Sequence, residues 1–167
     1  MRQWVIKPYE PIHLCIFQDA TCSGLQHISS MLADQVLGQH VNITTRTADE
    51  EAGDVYSYVA SRLTDILKEN PVFNRMLINR SLVKKPIMTV PYGVTNYGIV
   101  EYLKEQANSI IKINLDEPIN KKNYTMTYYR KWGFTAVDNG ELVYLSNSDI
   151  IFLANQLRKV LHSDFAS

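Results

Sequence analysis

Asp19-Ala20-Thr21-Cys22-Ser23-Gly24-Leu25-Gln26-His27 lies between two different hydrophobic patterns. Before it, Ile12-His13-Leu14-Cys15-Ile16-Phe17 is a short, largely apolar run of strand type that ends at Gln18-Asp19. After it, Leu25, Ile28, Leu32 and Val36 recur at helical spacing. Ser23 is predicted to cap this helix and Gly38 to end it. A strand that hands over to a helix through small residues suits a hard metal ion at the strand-end carboxylate. Nothing bulky crowds an oxygen ligand there, and Mg²⁺ keeps water and substrate phosphates as its other partners. The plainer reading is that Asp19 caps the following turn.

Further along, Thr47-Ala48-Asp49-Glu50 reads as a second helix start, with acids in the turn where the helix dipole favours them. Val55, Val59, Leu63 and Ile66 form its predicted buried stripe, and Asn70-Pro71 closes it. A third helix is predicted from near Phe73 towards Tyr92-Gly93, bent or broken by Pro86 and Pro91. A fourth runs roughly from Tyr97 to Ile111. The Tyr-, Thr- and Trp-rich stretch from Asn123 to Val137 reads as a strand, Asp138-Asn139-Gly140 as a hairpin turn, and Glu141 to Leu145 as the return strand. Asn147 or Ser148 is predicted to cap a last helix through Leu161. The expected class is therefore α-rich α+β, with a Tyr-rich β-hairpin towards the C-terminus. The chain divides into residues 1–45, 46–112 and 113–167, the last without an assignment.

Composition narrows the function classes. Of the 167 residues, 46% are hydrophobic, which is enough for a core and argues against wholesale disorder. Lys+Arg and Asp+Glu number 17 each. That balance argues against a free-standing nucleic-acid binder, which is usually basic. It still fits a piece of an enzyme whose positive channel is built elsewhere. Two cysteines, Cys15 and Cys22, are too few for a disulfide framework, so a reducing or organellar interior is expected. No apolar run is long enough to span a bilayer, so no membrane partner is expected. The first residues resemble neither a signal peptide nor a transit peptide, as in a truncated chain.

The second informative stretch is Arg80-Ser81-Leu82-Val83-Lys84, followed by Met88 and Tyr92-Gly93. Positions 80, 84, 88 and 92 step by four, and each step drifts about 40° around a helix. Arg80 and Lys84 therefore share a face, with Tyr92 further round. Two cations one turn apart can clamp a triphosphate, Arg as a fork and Lys as a point charge. The tyrosine hydroxyl would meet the sugar or base end. The plainer reading is a solvated basic face, which Lys85 next door would fit.

These stretches resemble two motifs of single-subunit, phage-type and mitochondrial RNA polymerases. Asp19 to His27 is similar to their first-aspartate motif, and Arg80-Ser81-Leu82-Val83-Lys84-Lys85-Pro86-Ile87-Met88-Thr89-Val90-Pro91-Tyr92-Gly93 to their fingers helix. Asp54-Val55-Tyr56 between them also looks family-like. The resemblance covers roughly residues 10 to 105. It implies a DNA-directed RNA polymerase with a DNA template, ribonucleoside triphosphates, an RNA product and Mg²⁺. Residues 1–45 would be a partial palm and 46–112 the fingers helices. Asp19, assisted by the carbonyl of Ala20, would hold the metal. Arg80 and Lys84 would bind the triphosphate, and Lys84 would protonate the leaving pyrophosphate. Tyr92 would sit by the ribose, and Gly93 would keep the helix end clear of the template base.

Family-A DNA polymerases share the Arg, Lys and Tyr spacing. They place a Glu five residues after the metal aspartate, where this chain has Gly24. A glycine there leaves room for a 2′-hydroxyl, to which Tyr92 could hydrogen-bond. The resemblance also implies a second metal-binding aspartate in a His-Asp-Ser turn, a tripeptide the chain does not contain. His162-Ser163-Asp164 has the letters in another order and is expected on the surface. Pro86 and Pro91 depart from the phage pattern and resemble polymerases of linear mitochondrial plasmids, which points to mitochondria. One competing expectation is a catalytically inactive remnant with residual nucleotide or nucleic-acid binding. Another is a small metal module of His13, Cys15, Cys22 and His27, whose spacing matches no usual zinc pattern.

Overall fold

The computed structural model describes residues 20, 22–47, 49–114, 128–137 and 141–165. The predicted strand at 12–17, Asp19, His13, Cys15 and the turn at 138–140 lie outside them. Among the described residues, six α-helices and a three-stranded antiparallel sheet follow in order: α1 Ser23–Leu32, α2 Gln35–His40, α3 Val55–Leu67, α4 Arg80–Thr89, α5 Asn96–Glu105, β1 Ser109–Asn114, β2 Tyr128–Thr135, β3 Leu142–Leu145 and α6 Asn147–Phe165. This is the expected α+β class.

The first predicted helix is two. α1 stops where Ala33 turns left-handed at φ 53°, and Asp34 restarts the chain by accepting the Leu37 N–H at 3.0 Å. An aspartate is a strong N-cap, so it overrides the continuous apolar pattern. Gly38 lies buried inside α2 rather than ending a helix, and Val36 is exposed. Ser23 is the first residue of α1; the cap position is Cys22, with no side-chain cap bond.

The second helix begins later than expected. Thr47 and Glu50 are not helical: the Glu50 side chain accepts the Thr47 N–H at 3.0 Å, and the Glu50 N–H donates to the Thr47 carbonyl at 3.3 Å. α3 starts after Asp54, whose carboxylate accepts the N–H groups of Tyr56 and Ser57. Such a cap contributes about 1 kcal/mol. Val55, Val59, Leu63 and Leu67 form the buried stripe; Ile66, one step off it, is exposed. Asn42 pins the preceding loop by bonding both the N–H and the carbonyl of Gly53, each at 2.8 Å.

The predicted third helix starts at Arg80, not near Phe73, because Asn79 caps it by accepting the Leu82 N–H at 3.1 Å. Residues 71–75 are turns, and Met76 bridges Ala136 at the end of β2. Leu77 donates to the Thr135 carbonyl and Val137 to that of Arg75, so the sheet holds the lead-in to α4. The fourth helix ends at Glu105, and Ile110 and Ile111 belong to β1 instead. β1 was not foreseen; it pairs with β2, with Ile110 opposite Trp132. β2 and β3 form the expected hairpin pairing, with Trp132 opposite Leu145.

The last helix is capped by Ser146, one residue before the predicted caps. Ser146 and Asp149 exchange side-chain and backbone bonds, a reciprocal capping arrangement. Ile150, Leu153, Ala154, Leu157, Leu161 and Phe165 recur at helical spacing and are buried. They join residues from α1 to α5 and the sheet in one core cluster. α6 packs on both α3 and α5, and α4 lies between those two in contact with each.

Candidate functional site

α4 is amphipathic. Leu82, Val83, Pro86 and Ile87 are buried, and Arg80, Ser81, Lys84, Lys85 and Met88 are exposed. Pro86 leaves the Leu82 carbonyl without its usual donor four residues on, yet the helix continues. The Thr89 hydroxyl donates to the carbonyls of Lys85 and Pro86 at 3.2 and 2.8 Å, satisfying the last turn. Pro91 has the larger effect. It cannot donate to the Ile87 carbonyl, so Val90 does so one residue early. The chain tightens into a 3₁₀ turn over Val90–Tyr92. Gly93 then ends it at φ 76°, with its N–H on the Val90 carbonyl at 3.0 Å. A side chain there would meet nothing within 4 Å, so the left-handed backbone alone asks for glycine.

Arg80 is held on two sides. Its Nε donates to Asp54 Oδ2 at 2.7 Å, and its guanidinium lies 5.0 Å from the centre of the Tyr56 ring. The terminal nitrogens have no bond to another described residue, and the side chain is 48% exposed. Burial works against ionisation of Asp54, but hydrogen bonds from Arg80 and Ser57 and the Arg80 charge outweigh it and hold the carboxyl below the ordinary range. Burial and a hydrogen bond with the Cys22 thiol push the Tyr56 hydroxyl up.

The neighbouring lysines differ. Lys85 pairs with Glu105 and lies 4.6 Å from the centre of the Tyr102 ring. Lys84 is exposed and has no ion pair among the described residues. Lys85 thus ties α4 to α5, and Lys84 remains on the open face with Arg80.

The structure brings the two sequence motifs into contact. A Cβ placed on Gly24 would stand 2.8 Å from Pro91 Cβ and 3.4 Å from Tyr92 Cζ. The start of α1 therefore rests against the 3₁₀ turn that carries Tyr92, which is 73% exposed. The direction a side chain would take from Gly24 is filled by the Pro91 ring. Ala20 is exposed just before α1, and Asp19 lies outside the described residues. Among the described residues no three His, Cys, Asp or Glu side chains gather as a metal site. Cys22 is buried and His27 is exposed.

Sequence reasoning gave Asp54 no place at the site. The signal was there, since an Asp before an apolar periodic run is an N-cap signature. Its second bond, to Arg80, depends on tertiary packing of α3 on α4. The expectation for Asp164 was wrong. His162 and Ser163 are exposed as expected, but Asp164 is half-buried, with its side chain 10% exposed. It accepts from Tyr58 Oη at 3.0 Å and from Arg62 Nε at 2.9 Å.

A family model described as DNA-dependent RNA polymerase matches residues 8–143. The chain belongs to the DNA-dependent RNA polymerase family. A probable DNA-directed RNA polymerase of Gelasinospora sp. (strain G114) is 38% identical over 98% of this chain and 20% of its own length. One of Podospora anserina is 29% identical over 92% of this chain and 16% of its own. The DNA-directed RNA polymerase of Enterobacteria phage T3 is 41% identical over 54 residues, 32% of this chain and 6% of that protein. The chain thus spans a fifth or less of the length of these polymerases. Other relatives include polymerases named chloroplastic/mitochondrial, from Nicotiana tabacum among others. Among the described residues no helix is long and apolar enough to cross a membrane.

Proposed function

We propose that this chain is the part of a mitochondrial DNA-directed RNA polymerase that receives the incoming ribonucleoside triphosphate, with α4 as its fingers helix and the start of α1 as the edge of its palm. The reading rests above all on the open face of α4, where Arg80 and Lys84, which has no ion pair among the described residues, stand one turn apart while Lys85 is tied to Glu105. A polyanion meeting that face gains a fork of donors from Arg80 and a mobile ammonium from Lys84.

The reaction would be in-line attack of the RNA 3′-hydroxyl on the α-phosphate, directed by a DNA template. Arg80 and Lys84 would bind the β- and γ-phosphates, and Lys84 would give a proton to the departing pyrophosphate. Tyr92 would lie at the ribose, with its hydroxyl available to the 2′-oxygen. Gly24 would serve ribose selection by letting the Tyr92 turn close against α1, and Gly93 would leave the template side clear. Mg²⁺ would be held by the Asp19 carboxylate and the Ala20 carbonyl, hard oxygen donors of the kind it takes, and would neutralise phosphate charge when bound.

Binding of ATP with Mg²⁺ to the chain, measured by isothermal titration, tests this reading. Lys84→Ala should weaken binding on the order of tenfold, the worth of one charge-assisted hydrogen bond. Lys85→Ala should change it little. Equal effects of the two substitutions would mean that α4 presents only a solvated basic face.

A further inference from the structure

Arg80 is exposed and long, and a flexible arginine loses much rotamer freedom when it grips a ligand. In this structure much of that freedom is already gone. Asp54 takes Nε, the inner donor, at 2.7 Å, and Tyr56 lies beneath the guanidinium at 5.0 Å. Both come from the first turn of α3, and the turn itself is fixed. Asp54 caps it through the Tyr56 and Ser57 N–H groups, and Ser57 Oγ donates to Asp54 Oδ2 at 2.9 Å. Asn42 clamps the residue just before Asp54 from both sides. The carboxylate that aims Arg80 is thus held by its own helix end and by the loop before it.

We propose that Asp54 is a positioning residue for Arg80, holding its Nε so that the two terminal nitrogens face outward, preset to take a phosphate group of the triphosphate. The inference deepens the triphosphate reading of the α4 face and rests on it. Asp54 touches no substrate; it acts through Arg80. Its charge also opposes an incoming phosphate. Arg80 is exposed and the Asp54 side chain is 34% exposed, however, so solvent screens part of that repulsion, whereas the fixed orientation of the fork does not depend on screening.

Two substitutions separate the cap from the positioning. Asp54→Ser keeps a good N-cap but is too short to reach Arg80 Nε. Asp54→Asn keeps both the cap and an acceptor for Nε. Titrated with ATP and Mg²⁺, the Ser variant should bind roughly three- to tenfold more weakly than wild type, the cost of re-ordering one long side chain. The Asn variant should bind within about twofold of wild type, and both should melt near the wild-type temperature. A Ser variant that binds as well as or better than wild type overturns the proposal. So does an Asn variant as weak as Ser, because charge and not orientation would then be at work. Arg80→Ala and Lys84→Ala, measured alongside, locate the failure. If both bind ATP like wild type, the triphosphate reading falls and takes this inference with it. If both weaken binding and Asp54→Ser does not, only the role of Asp54 falls.

Discussion

Helix α3 supplies two charged clusters that are built in opposite ways. In its middle, Tyr58 and Arg62 meet Asp164 of α6. The Asp164 carboxylate accepts from Tyr58 Oη, from Arg62 Nε and Nη2, and from Ser163 Oγ. His40 and Phe165 close over Tyr58, with ring centres 4.1 and 5.6 Å from it. At the start of α3, Asp54 meets Arg80, but Lys84 one turn further has no acidic partner among the described residues, and both cations are exposed. The first cluster satisfies itself and fastens two helices. The second carries a surplus positive charge in a chain whose formal net charge is zero. A buried charge must be paired to persist. An exposed charge beside an oriented partner can wait for a ligand.

Asp164→Ala should separate the two clusters most sharply. It removes the acceptor for Tyr58 and Arg62, and Tm should fall by about 5 °C in a thermal melt followed by circular dichroism. ATP binding should be unchanged. Hydrogen bonding from Arg62 comes first in holding the Asp164 carboxyl below the ordinary range, against the effect of burial, with Ser163 and Tyr58 adding to it. The stabilisation is therefore present above the usual carboxylate pKa of about 4 and lost as pH falls through the lower folded value. The Tm gap between wild type and Asp164→Ala should close in that acid range. A gap that persists there would mean the contact acts through packing and not through charge.

Gly24→Ala should have a smaller effect and should blur the comparison from the other side. Its Cβ would stand 2.8 Å from Pro91 Cβ, so the 3₁₀ turn must shift. Overpacking outweighs the helix propensity that alanine adds, and Tm should fall by about 2 °C. A raised Tm would show that the turn moves away freely and that Gly24 does not set the place of Tyr92.

Much of the open cluster was legible in the sequence, and almost none of the closed one. Arg80 and Lys84 share a face because four-residue spacing on a helix dictates it, whatever surrounds the helix. The last helix followed from its amphipathic pattern, and the hairpin pairing from strand-type composition on either side of the Asp138-Asn139-Gly140 turn signal. Helix starts were misplaced wherever an Asp or Asn cap outranked the apolar pattern, as at Asp34, Asp54 and Asn79. β1 was hidden because Ile110 and Ile111 also continue the period of α5. Asp164 was misread because its partners, Tyr58 and Arg62, lie about a hundred residues away in sequence. No local pattern reports a contact of that range. The meeting of Gly24 with Pro91 is of the same kind: two motifs could be read separately, but their contact is tertiary.

The most direct test of the open face is titration of ATP and Mg²⁺ into the isotope-labelled chain, followed through its backbone amide resonances. The account predicts shifts that saturate at Arg80, Ser81, Lys84, Tyr92 and Gly93, with Tyr58, Arg62 and Asp164 left in place. Shifts spread over all exposed lysines and arginines, or centred on the α3–α6 junction, would contradict it.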